Sequence, residues 1–166
     1  MARRVAKLSL FLIILLLVGC DHATKHAATV HLRSSGPVDV IPGLLDLRYA
    51  QNHDTAFSLL SRFGIQGGGL ALAIMAAVVL IGLCAFWFGR RHVAERLEHV
   101  GFAFAIAGAV GNVADRLIRG YVVDFIHLRH YSVFNVADVA IVVGMGLVLL
   151  SNWRARRATP PPAPAA

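Results

Sequence analysis

Four membrane-crossing helices with a small β element at one end are the fold this sequence predicts, a mainly α membrane protein, and three observations predict it. The chain of 166 residues is 57% hydrophobic and only 15% charged, with a mean hydropathy of +0.67, too apolar for a soluble domain of this size. From Phe63 to Gly89 it runs 27 residues without a formal charge, more than the ~20 a helix needs to cross a ~30 Å hydrocarbon core. Its basic residues also gather in short groups beside apolar runs, without the aromatic interleaving of a nucleic-acid binder, so no nucleic acid partner is expected.

The spans follow in order. Leu8 to Cys20, His99 to Ala114 and Val139 to Trp153 are shorter uncharged runs. Each reaches spanning length only by taking in ionisable residues at one end: Asp21 and Lys25, Asp115 and Arg116, or Asp138. Such groups are costly at the edge of a span unless they face protein or water, which makes them functional candidates. The expected spans lie near 8–28, 65–89, 99–119 and 134–153. In the loop of about 29–64, Pro42 and Gly43 mark a turn, and Leu45, Leu47 and Tyr49 alternate with Asp46 and Arg48. That period of two predicts a half-buried strand, and with it a small extracytoplasmic β element. Gly67, Gly68 and Gly69 read as the close-packing start of the second span. The Pro/Ala-rich end, ATPPPAPAA, is expected to be disordered. One integral-membrane domain over 1–153 and a disordered cytoplasmic tail over 154–166 complete the expected organisation.

Charge sets the orientation. Arg3, Arg4 and Lys7 precede the first span, Arg90, Arg91 and Arg96 separate the second from the third, and Arg154, Arg156 and Arg157 follow the fourth. With Glu95 and Glu98 that side carries the whole formal +7, whereas the other side holds seven basic residues and all seven aspartates. The positive-inside rule then puts both termini in the cytoplasm and the aspartates outside.

The densest chemical signal is in GNVADRLIRGYVVDFI, residues 111–126, and FNVADVAI, residues 134–141. Asn112, Asp115 and Arg116 share one helical face, as do Asn135 and Asp138. Asp124 sits among apolar neighbours. A purely structural role is open to each: Asp115 paired with Arg116 or Arg119, and Asn135 and Asp138 as helix caps. For Asp124 and Asp138 it is weaker, because no basic residue lies beside Asp124 or within a helical turn of Asp138. Two such carboxylates at a low-dielectric boundary can share one proton, the requirement of an aspartic peptidase.

Read in order, DHATK, QNHDTAFS, GNVADRLIRGYVVDFI and FNVADVAI resemble the motifs of lipoprotein signal peptidase (signal peptidase II), a family of bacterial intramembrane aspartic peptidases. The resemblance covers residues 21 to 141. It implies four membrane helices with an extracytoplasmic β cradle in the bacterial inner membrane. The implied activity removes signal peptides from prolipoproteins whose cysteine carries diacylglycerol, cutting on the amino side of that cysteine. Asp124 and Asp138 match the family's catalytic pair. Asn112, Asp115, Arg116 and Asn135 match its supporting polar residues, and Asp21, Lys25 and Asn52 its other recurrent ones. The second motif has Asp54 where the family commonly has glycine. Prolipoprotein and membrane lipid are the expected partners of a monomer. Only thirteen residues separate Asp124 from Asp138, so any loop over the site should be small.

Other readings compete. LLLVGC, ending at Cys20, resembles a lipoprotein signal, which would make the chain a membrane lipoprotein lipidated at Cys20; a small proton-coupled transporter using the aspartates as relays is the other alternative. Three further spans and the aspartate motifs speak against the first, and four spans without an internal repeat are few for the second. Cys20 and Cys84 both lie in apolar runs, where a disulfide framework is out of place. His22 and His26 have zinc-pair spacing, but there is no HExxH, no acidic third ligand on their face and no cysteine cluster; no metal or other cofactor is expected. His127 and His130 read as interfacial surface residues. Ser58 has no recognisable base and no G-x-S-x-G.

Overall fold

The computed structural model describes residues 2–53, 69–90 and 95–158. Helix α1 covers Ala2–Ser35 and is followed by β1 (Val38–Ile41) and β2 (Leu45–Asn52). Helices α2 (Gly69–Arg90) and α3 (Arg96–Arg119), strands β3 (Val122–Leu128) and β4 (Val133–Phe134), and α4 (Val136–Ala158) complete the order. Among the described residues four stretches are long and apolar enough to cross a membrane: Leu8–Ser35, Ala71–Arg90, Arg96–Arg119 and Val136–Arg157. Asp54, Ser58, Gly67 and Gly68 lie outside the described residues.

Helix α3 is the centre of the bundle. Its span is 61% buried, against 11% for those of α1 and α2 and 28% for that of α4. Leu12, Leu16, Val79, Ile81, Val142 and Leu149 on the outer helices are exposed, an apolar surface suited to lipid rather than water. Close approach of α3 to α4 is set by small residues: a Cβ on Gly101 would stand 2.7 Å from the Gly144 carbonyl oxygen. Without a hydrophobic gain between helices in lipid, such backbone proximity is what holds them.

Helix α1 continues past residue 28 to Ser35. Ala28 is buried, Thr29 Oγ1 donates to the Lys25 carbonyl at 2.8 Å, and Ser35 Oγ donates to the His31 carbonyl. Cys20 is exposed in the middle of this helix, so cleavage before it would divide a continuous span.

The alternation of Leu45, Leu47 and Tyr49 does form a strand, β2, inside a four-stranded antiparallel sheet of order β1-β2-β3-β4. Residues 122–128, VVDFIHL, add a strand that the alternation rule misses, since its first four residues are all buried and a strand buried on both faces does not alternate. Gly120 makes this strand possible. Its φ of 79° ends α3 in the left-handed conformation, its N–H bonds to the Arg116 carbonyl, and the chain turns directly into β3.

Candidate active site

Asp124 reaches the site from β3 and Asp138 from the first turn of α4. The strand register pairs Ala50 with Asp124 and Asn52 with Val122, which sets Asn52 and Asp124 diagonally on one face of the sheet. Asn52 Nδ2 donates to Asp124 Oδ2 at 2.8 Å, and Asn135 Nδ2 donates to Asp124 Oδ1 at 2.6 Å. Asp138 is held likewise: Asn112 Nδ2 donates to its Oδ1 at 2.8 Å, and the Asn135 backbone N–H to its Oδ2 at 3.2 Å. Asn135 Oδ1 accepts the Asp138 N–H at 3.0 Å. Asn135 and Asp138 thus form a reciprocal cap on α4. The capping expectation holds in the geometry, and the same cap seats both residues beside Asp124.

Neither acid is without partners, although neither has a cation beside it in the sequence. Their partners are amides from β2, α3 and the start of α4. Asp124 is 2% exposed, and Asp138 is half-buried. Burial pushes the Asp124 carboxyl up to about 6; the Asn52 amide pulls it down, and the nearby Asp138 pushes it up again.

A second group lies against the first. Lys25, fully buried, pairs with Asp21 at 2.7 Å and Asp115 at 3.0 Å, and donates to Asn112 Oδ1 at 3.0 Å. Asp115 also accepts from Arg119 at 2.9 Å and from the Val123 backbone N–H at 3.3 Å. Of the two cations proposed for Asp115 from the sequence, Arg119 is the one that bonds it, because i,i+4 spacing brings it onto the same face. Arg116 Nη1 instead donates to the Asn112 carbonyl at 3.2 Å, and its guanidinium lies in the field of Asp138, Asp124 and Asp115. Asp21 Oδ1 accepts the Ala137 N–H at 3.0 Å, tying α1 to the first turn of α4.

Asp21, Lys25, Asn52, Asn112, Asp115, Arg116 and Asn135 are therefore all brought around the two acids. Sequence reasoning passed over Gly111 and the Ala137 N–H. A Cβ on Gly111 would stand 2.5 Å from Asp21 Oδ2, so any larger residue would displace that carboxylate. The small-residue spacing of Gly108 and Gly111 inside a span was the available signal. His22 and His26 are exposed and outside the site. His130 is exposed in the turn after β3, with a φ of 72°. His127 is not a bare surface residue: its Nδ1 lies 2.8 Å from Asp46 Oδ2 across the β2–β3 pair. The Arg48 and His127 side chains hold the Asp46 carboxyl well below the usual carboxylate range.

Residues 13–154 match the family model described as Signal peptidase (SPase) II. The lipoprotein signal peptidase of Haemophilus ducreyi is 34% identical over 143 residues, covering 84% of this chain and 87% of that protein. The protein of the same name from Sinorhizobium fredii is 39% identical over 154 residues, 87% of this chain and 86% of the other. A solved bacterial membrane enzyme, 24% identical, superposes with a TM-score of 0.78 over 95% of this chain and 94% of its own, a likeness of fold. The match takes in all four helices, the sheet and both acid-bearing segments, and on it the chain belongs to the signal peptidase II family, a family of membrane peptidases.

Proposed function

We propose that this membrane peptidase removes signal peptides from prolipoproteins whose cysteine carries diacylglycerol, cutting on the amino side of that cysteine, with Asp124 and Asp138 as the catalytic pair. The observation that carries the reading is the shared Asn135: its side-chain amide holds Asp124 while its backbone N–H holds Asp138. The charges agree with a shared proton. Lys25, Arg116 and Arg119 supply three formal positive charges against Asp21, Asp115, Asp124 and Asp138. One proton on the pair brings the cluster to neutrality, and a neutral cluster is the cheapest to bury.

Asp124, 2% exposed against the half-buried Asp138, is the member on which burial favours the shared proton. Asp138 then acts as the base. It takes a proton from water as the water oxygen bonds to the scissile carbonyl carbon, while Asp124 donates its proton to the carbonyl oxygen. Collapse of the tetrahedral adduct breaks the C–N bond. Asp138 passes its proton to the leaving nitrogen, Asp124 recovers the other from a hydroxyl of the adduct, and the products are a signal-peptide carboxylic acid and a free cysteine amine. The remaining polar residues, Asp21, Lys25, Asn52, Asn112, Asp115, Arg116 and Asn135, hold the pair.

The setting is the bacterial inner membrane. Both termini face the cytoplasm, where the clustered arginines lie, and the site opens at the outer face. Residues 1–153 act as one peptidase domain and as a monomer, with membrane lipid around the exposed apolar helices. The test is cleavage of a synthetic prolipoprotein by purified protein, with mass spectrometry locating the cut. A cut before the lipidated cysteine, little cleavage of the unlipidated peptide and a rate unchanged by chelator are expected. Activity lost to chelator and restored by zinc would overturn the aspartic assignment.

A further inference from the structure

The buried ion cluster has a directional contact with the acid pair. Lys25 Nζ donates to Asn112 Oδ1 at 3.0 Å, and an ammonium has donors only. The end of Asn112 facing it is therefore the carbonyl oxygen. Asn135 Nδ2 donates to that same oxygen at 3.1 Å. The Asn112 Nδ2 is thereby turned to Asp138, where it donates at 2.8 Å. Reversing the amide would set N–H bonds against the ammonium and a carbonyl lone pair against the carboxylate, two repulsions in place of two bonds. Asn135 favours the same orientation, but its amide has an acceptor end and can adapt. Lys25 has none.

From this chain of bonds we propose that Lys25 is a positioning residue for the hydrolysis, holding the Asn112 amide in the one orientation that offers Asp138 an N–H and fixes its carboxylate for attack on water. The proposal rests on the aspartic reading of Asp124 and Asp138. Its own content is that Lys25, on α1, acts on the chemistry through Asn112, on α3, beyond balancing Asp21 and Asp115. Around Asp138, Arg116 comes from α3, Asp124 from β3 and the Asn135 N–H from the start of α4.

Removing Lys25 alone would strand Asp21, so the test removes both charges together. Asp21→Asn/Lys25→Met keeps the formal charge, leaves Asp115 its Arg119, and retains an oxygen at position 21 for the Ala137 N–H. On the synthetic lipidated prolipoprotein, kcat should fall by about 10- to 100-fold with KM within about twofold, the signature of a misplaced reacting group rather than lost binding. In an Asn112→Ala background the same pair of changes should lower kcat by less than about twofold, because residues that act in series are not additive. Asp21→Asn/Lys25→Gln, whose amide can donate to Asn112, should recover part of the loss. Wild-type kcat in the methionine variant, or an equal loss in both backgrounds, would overturn the proposal. Should the methionine variant fail to fold, Asp21→Asn/Lys25→Leu, equally unable to donate to Asn112, carries the decision: its kcat should lie below wild type and below that of the glutamine variant, and a wild-type kcat overturns the proposal. Asp138→Asn alone separates the two claims. If it still cleaves, the aspartic reading fails; if it is inactive while the Lys25 variants match wild type, only the role of Lys25 fails.

Discussion

The two ends of the helix bundle bury carboxylates in different company. At the end away from the sheet, Glu98 is 3% exposed and meets a cation directly, Arg90 Nε at 2.6 Å. Arg90 goes on to Asn152 Oδ1 at 3.2 Å, so one guanidinium joins α2, α3 and α4. At the end under the sheet, Asp124 and Asp138 are held by the amides of Asn52, Asn112 and Asn135, while Asp21 and Asp115 take the cation Lys25. A carboxylate locked to a cation is neutralised and holds the fold. A carboxylate held by neutral amides is oriented but keeps its capacity to exchange a proton. On the proposed reading the partner, rather than the depth of burial, separates structural acids from chemical ones.

That distinction is broken most readily at the pair itself. Asp124→Asn and Asp138→Asn should each lower cleavage by about 10²- to 10⁴-fold or more, the contribution of a positioned acid or base, with thermal unfolding little changed. Substantial turnover by either would remove that residue from the mechanism. Next comes Asp115→Ala, which strands part of the Lys25 and Arg119 charge. It should cost about 3 kcal/mol of stability, near the lower figure for one member of a buried ion pair, because Lys25 keeps Asp21. Normal unfolding with lost turnover would move Asp115 into the chemistry.

A smaller effect sharpens the comparison through pH. The folded-state value for Asp124, about 6, lies above its ordinary 3.8. The folded protein therefore binds this proton more tightly than the unfolded chain. The associated stability is fully present below about pH 4 and is lost as pH rises through about 6. Activity that needs the proton on Asp124 should fall over the same upper range. Asn52 supports the ionised form through its N–H, so Asn52→Ala should move the alkaline limb of kcat/KM up by about one pH unit, the equivalent of a ~1.4 kcal/mol hydrogen bond. A limb that stays in place would show that Asn52 does not tune Asp124.

Charge-free runs and basic flanks made the four spans legible, because lipid tolerates little else. Asp124 and Asp138 stood out as acids with no cation beside them; the amides that hold them instead were hidden from the sequence. Asn52 meets Asp124 across 72 residues, and Lys25 meets Asn112 across 87; no local period reports such contacts. Strand β3 was lost because Val122, Val123, Asp124 and Phe125 are all buried, leaving no alternation to read. Helix α1 outran its apolar stretch where its last turns meet the rest of the protein, with Ala28 buried and the Arg33 guanidinium over the Tyr49 ring of β2, contacts that no local period reports.

The most direct test of the contrast between the two ends is one series of measurements on wild type, Asp124→Asn and Glu98→Gln, each followed by turnover of the lipidated prolipoprotein and by thermal unfolding. Asp124→Asn should lose turnover and keep its Tm. Glu98→Gln should keep turnover and lose about 1.5–3 kcal/mol of stability, the worth of hydrogen bonds to a charged group. An inactive Glu98→Gln of unchanged Tm, or an active Asp124→Asn, would contradict the account.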